Sequence, residues 1–281
     1  MKKKLVALAA AVATLALSAV MLAGCSGGGD AQQQGGDSGA TDGAFTLTVG
    51  FDQGYPPYGY VGDDGQFTGF DLELAKAVCE KMGWNLDLQA IDWDAKDALI
   101  GSGTINCIWN GFTMENREND YTFSEPYMYN EQVVVVKKDS DAKKLEDLAG
   151  KTVLTQVDSA ALHVLEDEKG QKPLADTFKE LQTIGDYNNA FMQLDSGMID
   201  AVACDLSIAQ YQISANPGKY VQLETPLSTE HYAVGFKKGN TELANQVTET
   251  LKQLDADGTV KKLCEKYASY GISYDNWVLG K

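Results

Sequence analysis

One arginine stands among the 23 basic residues of this 281-residue chain, Arg117. It closes the segment Asn110-Gly111-Phe112-Thr113-Met114-Glu115-Asn116-Arg117, which follows the largely apolar stretch Ile105 to Trp109. A guanidinium offers a planar fork that matches a carboxylate, and a lysine does not. Arg117 is therefore a candidate anion ligand, its plain alternative being a surface residue. Asp205 follows the apolar run Ala201-Val202-Ala203-Cys204 directly. An aspartate so placed is either a helix cap or a cation ligand. Where Val157-Asp158-Ser159-Ala160 opens a helix, unpaired backbone N–H groups offer an anion site. The loop Asp52 to Tyr60 is rich in aromatics and proline, and Ile91-Asp92-Trp93-Asp94 is a strand-to-helix turn. Their rings are packing residues or walls for a ligand. Arg117 and N–H groups for a carboxylate, Asp205 for an ammonium and aromatics for the rest suit a small zwitterion.

Composition narrows the alternatives. The chain is 44% hydrophobic and 22% charged, as ordinary globular proteins are. The formal charge is −17, with 40 acidic residues. Such a surface repels phosphate backbones and anionic lipid heads, so no nucleic-acid partner is expected. There are two histidines and five cysteines, with no C-x-x-C, H-E-x-x-H or G-x-x-x-x-G-K-[ST] motif. No metal and no cofactor are expected.

The elements that would carry these residues alternate. Phe45 to Phe51 reads as a strand, and Asp71 to Met82 as a helix that Asp71 caps, Glu73 suits and Gly83 ends. A strand near Leu86 to Ile91, a helix near Asp94 to Ser102 and a strand Ile105 to Trp109 follow. Glu131 to Val136 is the most continuous β-branched run and reads as a buried strand. After a break near Lys137 to Ser140 the alternation restarts with strands Thr152 to Val157, Ile199 to Cys204 and Tyr232 to Phe236. Helices are expected at Ser159 to Lys169, Asp186 to Asp195, Leu206 to Ala215, Thr241 to Asp255 and Thr259 to Tyr267. Repeated strand–helix–strand units in two blocks predict an α/β protein with two lobes, each a mostly parallel sheet flanked by helices.

The N-terminus reads as an address. Lys2 to Lys4 precede a run from Leu5 to Ala23 whose only polar members are Thr14 and Ser18. A charged start, apolar middle and small-residue exit make a secretory signal over 1–24. The alternative is a retained helix, since about 20 apolar residues can span a bilayer. Leu22-Ala23-Gly24-Cys25 resembles the lipobox of bacterial lipoproteins, in which the cysteine takes a lipid and becomes the new N-terminus. Residues 25–44 are rich in Gly, Gln, Ser and Asp and read as a flexible tether.

The body resembles the polar amino-acid-binding family, family 3, of the extracellular solute-binding proteins that serve bacterial ABC importers. The marks are Tyr55 to Tyr58, Gly69-Phe70-Asp71-Leu72-Glu73-Leu74, Trp93-Asp94, Gly111 to Arg117, Tyr121 to Tyr127, Gly150 to Val153, and Ile199-Asp200-Ala201-Val202 with Asp205. The resemblance implies a type II periplasmic-binding-protein fold, with lobe 1 at 45–133 and 233–281 and lobe 2 at 134–232. Two crossing strands, near Gln132 to Val134 and Tyr232 to Val234, would join the lobes. By position it makes Arg117 the α-carboxylate ligand, helped by Thr113 and by Ala160 N–H beside Ser159. It makes Asp205 the α-ammonium ligand, helped by carbonyls near Asn110 or Gly111. Asp52, Tyr55 and Trp93 surround the substrate side chain. The spacing from Gly111 to Arg117 is one residue shorter than the family's usual one, and Ala160 stands where Ser or Thr is frequent.

The implied function is a monomeric lipoprotein, held to the membrane by lipid on Cys25, that delivers a free amino acid to permease and ATPase subunits. Two other readings are a sensor module for a signalling partner and a periplasmic dehydratase of prephenate-like acids. The second needs a positioned acid or base. Glu115 is its best candidate, ahead of His163 and His231. Cys79 and Cys264 read as core residues, and Cys79, Cys107, Cys204 and Cys264 match no disulfide of the family.

Overall fold

The segment Thr46–Phe51 (TLTVGF) buries its second, fourth, fifth and sixth residues and forms strand β1. A computed structural model describes residues 43–281. The expected signal over 1–24, Cys25 and the tether up to Asp42 lie outside the described residues. After β1, the strands β2 (Gly54–Tyr55), β3 (Gly59–Val61) and β4 (Phe67–Thr68) form a small antiparallel sheet. Helix α1 (Phe70–Met82) follows and ends on Gly83, whose φ of 69° is the left-handed cap glycine tolerates. Strand β5 (Asn85–Ala90) then pairs in parallel with β1 in register from Thr46–Asn85 to Phe51–Ala90.

Trp93–Ala95 forms a 3₁₀ turn that leads into α2 (Lys96–Ser102). Strand β6 is only Cys107–Ile108, parallel to β1. Next come β7 (Tyr121–Phe123) and the ten-residue β8 (Met128–Lys137). The second block holds β9 (Thr152–Gln156), α3 (Ala160–Glu166), α4 (Lys172–Ala175), β10 (Glu180–Ile184), α5 (Tyr187–Ser196), β11 (Ala201–Asp205), α6 (Leu206–Ala215), β12 (Tyr220–Gln222) and β13 (Ser228–Tyr232). Strand β14 (Gly235–Lys237) and helices α7 (Thr241–Ala256) and α8 (Thr259–Lys266) complete the chain, and both helices pack on α1.

The strands make two main sheets, ordered β5-β1-β6-β14-β7 and β10-β9-β11-β8-β12, with β13 on β8. Each has three parallel strands at one side and antiparallel returns at the other. Strand β8 changes partners along its length. Met128 to Gln132 pair with β13, and Gln132 to Lys137 are flanked by β11 and β12. The two-stranded part sits where the chain passes between the sheets.

The expected strand Tyr232 to Phe236 is two strands. Tyr232 closes β13 and Gly235 opens β14, and between them Ala233 N–H donates to Phe112 O at 3.0 Å. The chain changes sheets here, so one ladder cannot run through. Asp71 is also not the cap expected of it. Gly69 takes that position, with no side-chain cap bond, and Asp71 is fully buried inside the first turn of α1. Its Oδ2 accepts from Gly111 N–H at 2.6 Å and Tyr127 OH at 2.7 Å. Burial pushes the Asp71 carboxyl up to about 7 against the pull of those two donors. Cys79, Cys107, Cys204 and Cys264 are buried and unpaired. Among the described residues no helix is long and apolar enough to cross a membrane.

Two predictions follow from the start of α1. Gly69 has φ of 139°, and a Cβ there would lie 2.2 Å from Tyr58 O. Phe70 and Asp71 N–H groups donate to Pro57 O and Tyr58 O at that close approach. Gly69→Ala should cost at least about 1–3 kcal/mol, read as a lowered midpoint in thermal unfolding. A carboxyl raised by folding binds its proton more tightly in the native state, so its contribution falls as pH rises from the unfolded value towards about 7. Asp71→Asn keeps an acceptor for both donors. Its stability relative to wild type should therefore rise between about pH 4 and pH 7. A flat difference in chemical denaturation would show that Asp71 does not titrate there.

Candidate ligand-binding cleft

A tight inner cavity of about 10 Å³ is lined by Tyr55, Trp93, Asn110, Gly111, Thr113, Arg117, Gln156, Ser159, Ala160 and Asp205. The ends of β1, β6, β9 and β11 bring these residues together, as crevices beyond strand carboxyl ends do in open α/β sheets. Nine of the ten side chains singled out in the sequence line this one space. The tenth, Asp52, stands in a neighbouring recess of about 550 Å³ that opens to solvent and shares Trp93 with the inner cavity.

Arg117 is 5% exposed and its guanidinium lies 4.8 Å over the Phe112 ring. Nη1 donates to Thr113 O at 3.1 Å and Nη2 to Asp158 O at 3.2 Å. Both acceptors are carbonyls, so the charge has no carboxylate in contact. Trp93 Nε1 donates to the same Asp158 carbonyl at 3.1 Å. The Asp158 carboxylate accepts from the buried Lys96 and pairs with His163 Nε2 at 3.1 Å. Burial alone would raise that carboxyl, but His163, Lys96 and the Arg117 charge hold it well below the usual carboxylate range. Asp158 has φ of 55°, a conformation that aspartate tolerates better than most residues. Ser159 caps α3, its hydroxyl accepting from Leu162 N–H at 3.1 Å, which leaves Ala160 as the first helical residue at the cavity wall.

On the opposite side Asp205 begins α6 without capping it through its side chain. Its Oδ1 accepts from Asn130 Nδ2 at 2.9 Å, Gln132 Nε2 at 2.7 Å and Tyr232 OH at 2.8 Å. Sheet register explains the assembly. Asn130 and Gln132 alternate onto one face of β8, Asp205 of β11 stands opposite Gln132, and Glu230 of β13 stands opposite Asn130. Glu230 is 3% exposed, and its Oε1 accepts from Thr113 Oγ1 at 2.7 Å and from both amides at 2.8 Å. The Thr113 hydroxyl is therefore turned to Glu230, and its carbonyl holds Arg117. Burial raises the Asp205 carboxyl, and burial with the Asp205 charge raises Glu230 to about 7.

Sequence reasoning passed over Glu230, Asn130, Gln132, Gln156, Asp158 and Lys96. The period-2 spacing of Asn130 and Gln132 inside an apolar strand was the available signal, because a buried strand has no other use for two amides. Gln156 Nε2 donates to Asp52 Oδ2 at 2.7 Å across the cleft, and Asp52 Oδ1 accepts from Gly54 N–H at 2.7 Å. Burial raises the Asp52 carboxyl despite these donors. Glu115 accepts from His231 N–H at 2.9 Å and pairs with its Nδ1 at 2.8 Å; neither residue lines the cavity.

The family model for bacterial extracellular solute-binding proteins, family 3, matches residues 47–270. The L-cystine-binding protein TcyA of Bacillus subtilis is 30% identical, with 97% of this chain and 100% of that protein covered. The arginine-binding extracellular protein ArtP of Bacillus subtilis is 27% identical over 95% of this chain and 98% of its own length. A crystal structure of an ABC uptake transporter substrate-binding protein from Streptococcus pneumoniae with bound histidine superposes with a TM-score of 0.77, at 34% identity, over 82% of this chain and 94% of that one. The two-sheet α/β architecture is that of the type II periplasmic amino-acid-binding proteins. With the match spanning both sheets and every strand end that lines the cavity, the chain belongs to the bacterial extracellular solute-binding proteins, family 3.

Proposed function

We propose that this chain captures a free amino acid and delivers it to the permease and ATPase subunits of an ABC importer, working as a monomer and without catalysis. The observation that carries the reading is the inner cavity, with a buried arginine at one side and a buried aspartate at the other. The Asn130, Gln132 and Tyr232 donors all fall on Oδ1 of Asp205, and only two of the five N–H groups of Arg117 are engaged. A zwitterion completes both. Arg117 takes the α-carboxylate, with Ala160 N–H beside it. Asp205 takes the α-ammonium, with carbonyls near Asn110 and Gly111. Tyr55 and Trp93 hold the side chain and direct it towards Asp52. The names of relatives, which include cystine-, arginine- and histidine-binding proteins, support an amino acid as ligand.

The lobes in this reading are 45–133 with 233–281, and 134–232. The β8–β13 ribbon is the hinge between them. At the N-terminus, 1–24 is a signal peptide, Cys25 carries lipid, and the tether lets the body work at the outer face of the cytoplasmic membrane.

Calorimetry with L-cystine, L-arginine and L-histidine tests the site. A ligand at 100 times its Kd should add about 2.7 kcal/mol to stability, which a thermal-shift screen reads first. Arg117→Ala or Asp205→Asn leaves one buried charge without its partner, a loss of about 3–5 kcal/mol, or roughly a hundred- to several-thousand-fold in affinity. Arg117→Lys should also bind substantially more weakly, because an ammonium cannot grip both carboxylate oxygens. Near wild-type affinity in Arg117→Ala or Asp205→Asn would remove the zwitterion clamp. For the anchor, Cys25→Ser should move the protein from the membrane fraction to the soluble one. Retention of that variant in membranes would mean that the apolar N-terminal run is a spanning helix.

A further inference from the structure

Two buried carboxylates, Asp205 and Glu230, lie on the same pair of amide nitrogens. Asn130 Nδ2 and Gln132 Nε2 each reach both Asp205 Oδ1 and Glu230 Oε1 at 2.7–2.9 Å. Among the described residues no cation bonds to either acid: Arg117 acts on both through its charge, but its two hydrogen bonds go to the carbonyls of Thr113 and Asp158. Like charges this close in a desolvated site cannot both be ionised without a cation between them. The remaining neighbours do not supply one. Thr113 and Tyr232 present neutral hydroxyls, to Glu230 and Asp205 respectively. His231, next to Glu230 on β13, is bound to Glu115 and less buried than either acid. A second observation points the same way. Gln132 Oε1, on the amide whose nitrogen is shared, is a fully buried acceptor with no donor. A carboxyl O–H beside it is a donor of the kind that is missing.

We infer that Glu230 carries a proton in the empty cleft and loses it to solvent when a ligand's ammonium reaches Asp205, so that binding exchanges one positive charge for another. The inference rests on the amino-acid reading above. In the exchange the O–H bond of Glu230 breaks, its electron pair stays on the carboxylate, and the proton passes to buffer. Net charge in the buried cluster is then the same before and after binding. Glu230 is the holder rather than Asp205 for two reasons. Asp205 lines the inner cavity and Glu230 does not, and a glutamic acid is the weaker acid of the two. Burial and the Asp205 charge place its titration at about 7, within reach of ordinary buffers. Asn130 and Gln132 thus act as the joint through which Asp205 and Glu230 feel each other, and Glu230 is a positioning residue for the ligand charge.

The test is calorimetry with L-arginine and, separately, L-cystine, in buffers of different ionisation enthalpy between about pH 5 and 7, where the amino groups of both probes stay protonated. Wild type should release up to about one proton per ligand, and affinity should fall towards about tenfold per pH unit below the titration of Glu230. In Glu230→Gln the enthalpy should be the same in every buffer, and the slope of affinity on pH should vanish. In His231→Gln both should persist. Infrared spectra of the ligand-free wild type near pH 6 should contain a protonated-carboxyl band that disappears on adding L-arginine and is missing from Glu230→Gln. Buffer-independent heats in wild type, or proton release that survives in Glu230→Gln, would overturn the exchange while leaving amino-acid binding intact. An absence of heat with both probes would remove the amino-acid reading and this exchange with it.

Discussion

A single desolvated guanidinium sets the terms for this cleft. Arg117 keeps its charge at any ordinary pH, and burial makes that charge expensive unless the surroundings answer it. They answer with oriented dipoles: the Thr113 carbonyl from its own loop and the Asp158 carbonyl from the far side of the cleft. The Phe112 face below adds a cation–π contact. Because one of these carbonyls comes from the second block, the solvation of Arg117 depends on the two sides meeting. Trp93 and Lys96 secure the same meeting by bonding to Asp158, and Lys96 is itself buried there.

The loop that carries Arg117 is held from behind by an acid that never faces the cleft. Asp71 accepts from Gly111 N–H and Tyr127 OH, tying the turn after β6 both to the first turn of α1 and to the segment entering β8. Gly111, with φ of 59°, has the Tyr55 and Tyr232 rings just over 3 Å from where a Cβ would be. The tyrosines can crowd this wall only because the residue there has no side chain. The cavity therefore inherits its shape from the α1 turn, the β6 turn and the β8–β13 ribbon together.

Much of this was legible in the chain. Hydrophobic periodicity gave α1, α5, α6 and α7 within a few residues, because each buries one continuous stripe. Strand β10 went unread because Glu180–Ile184 buries none of its residues fully and its polar positions break the apolar run. Strand β12 is too short to show a period, whereas β6 is read within the longer run Ile105 to Trp109. Asp71 read as a cap because an acid in a first helical turn ordinarily is one. Only the tertiary approach of Gly111 and Tyr127 gives it other work. Arg117 and Asp205 could be found because each is a charge following a largely apolar stretch. Glu230 could not, since Ser228–Tyr232 alternates like any half-buried strand and its partner amides lie about 100 residues away.

The nature of the ligand side chain is the part least written in local sequence, and the geometry shows why. The recess beyond the inner cavity collects Asp52 from the end of β1, Asp92 and Asp94 from the turn after β5, and Asp186 from the turn before α5. Each of these has an ordinary local role available; Asp186, for one, caps α5 by accepting from Asn189 N–H at 2.9 Å. Their common orientation towards one space is a property of three separate strand ends. Among the described residues no basic side chain lines that recess, so in the proposed reading its field favours a ligand whose far end carries positive charge over one that ends in a carboxylate. In the proposed reading Asp52 sets this preference, because Gln156 already supplies one of its donors from across the cleft. A cationic or amide-bearing side chain has to compete with that bond or share the carboxylate with it. In the proposed reading, the carboxylate that would meet the ligand's end-group is thus also the one that joins the two sides of the cleft.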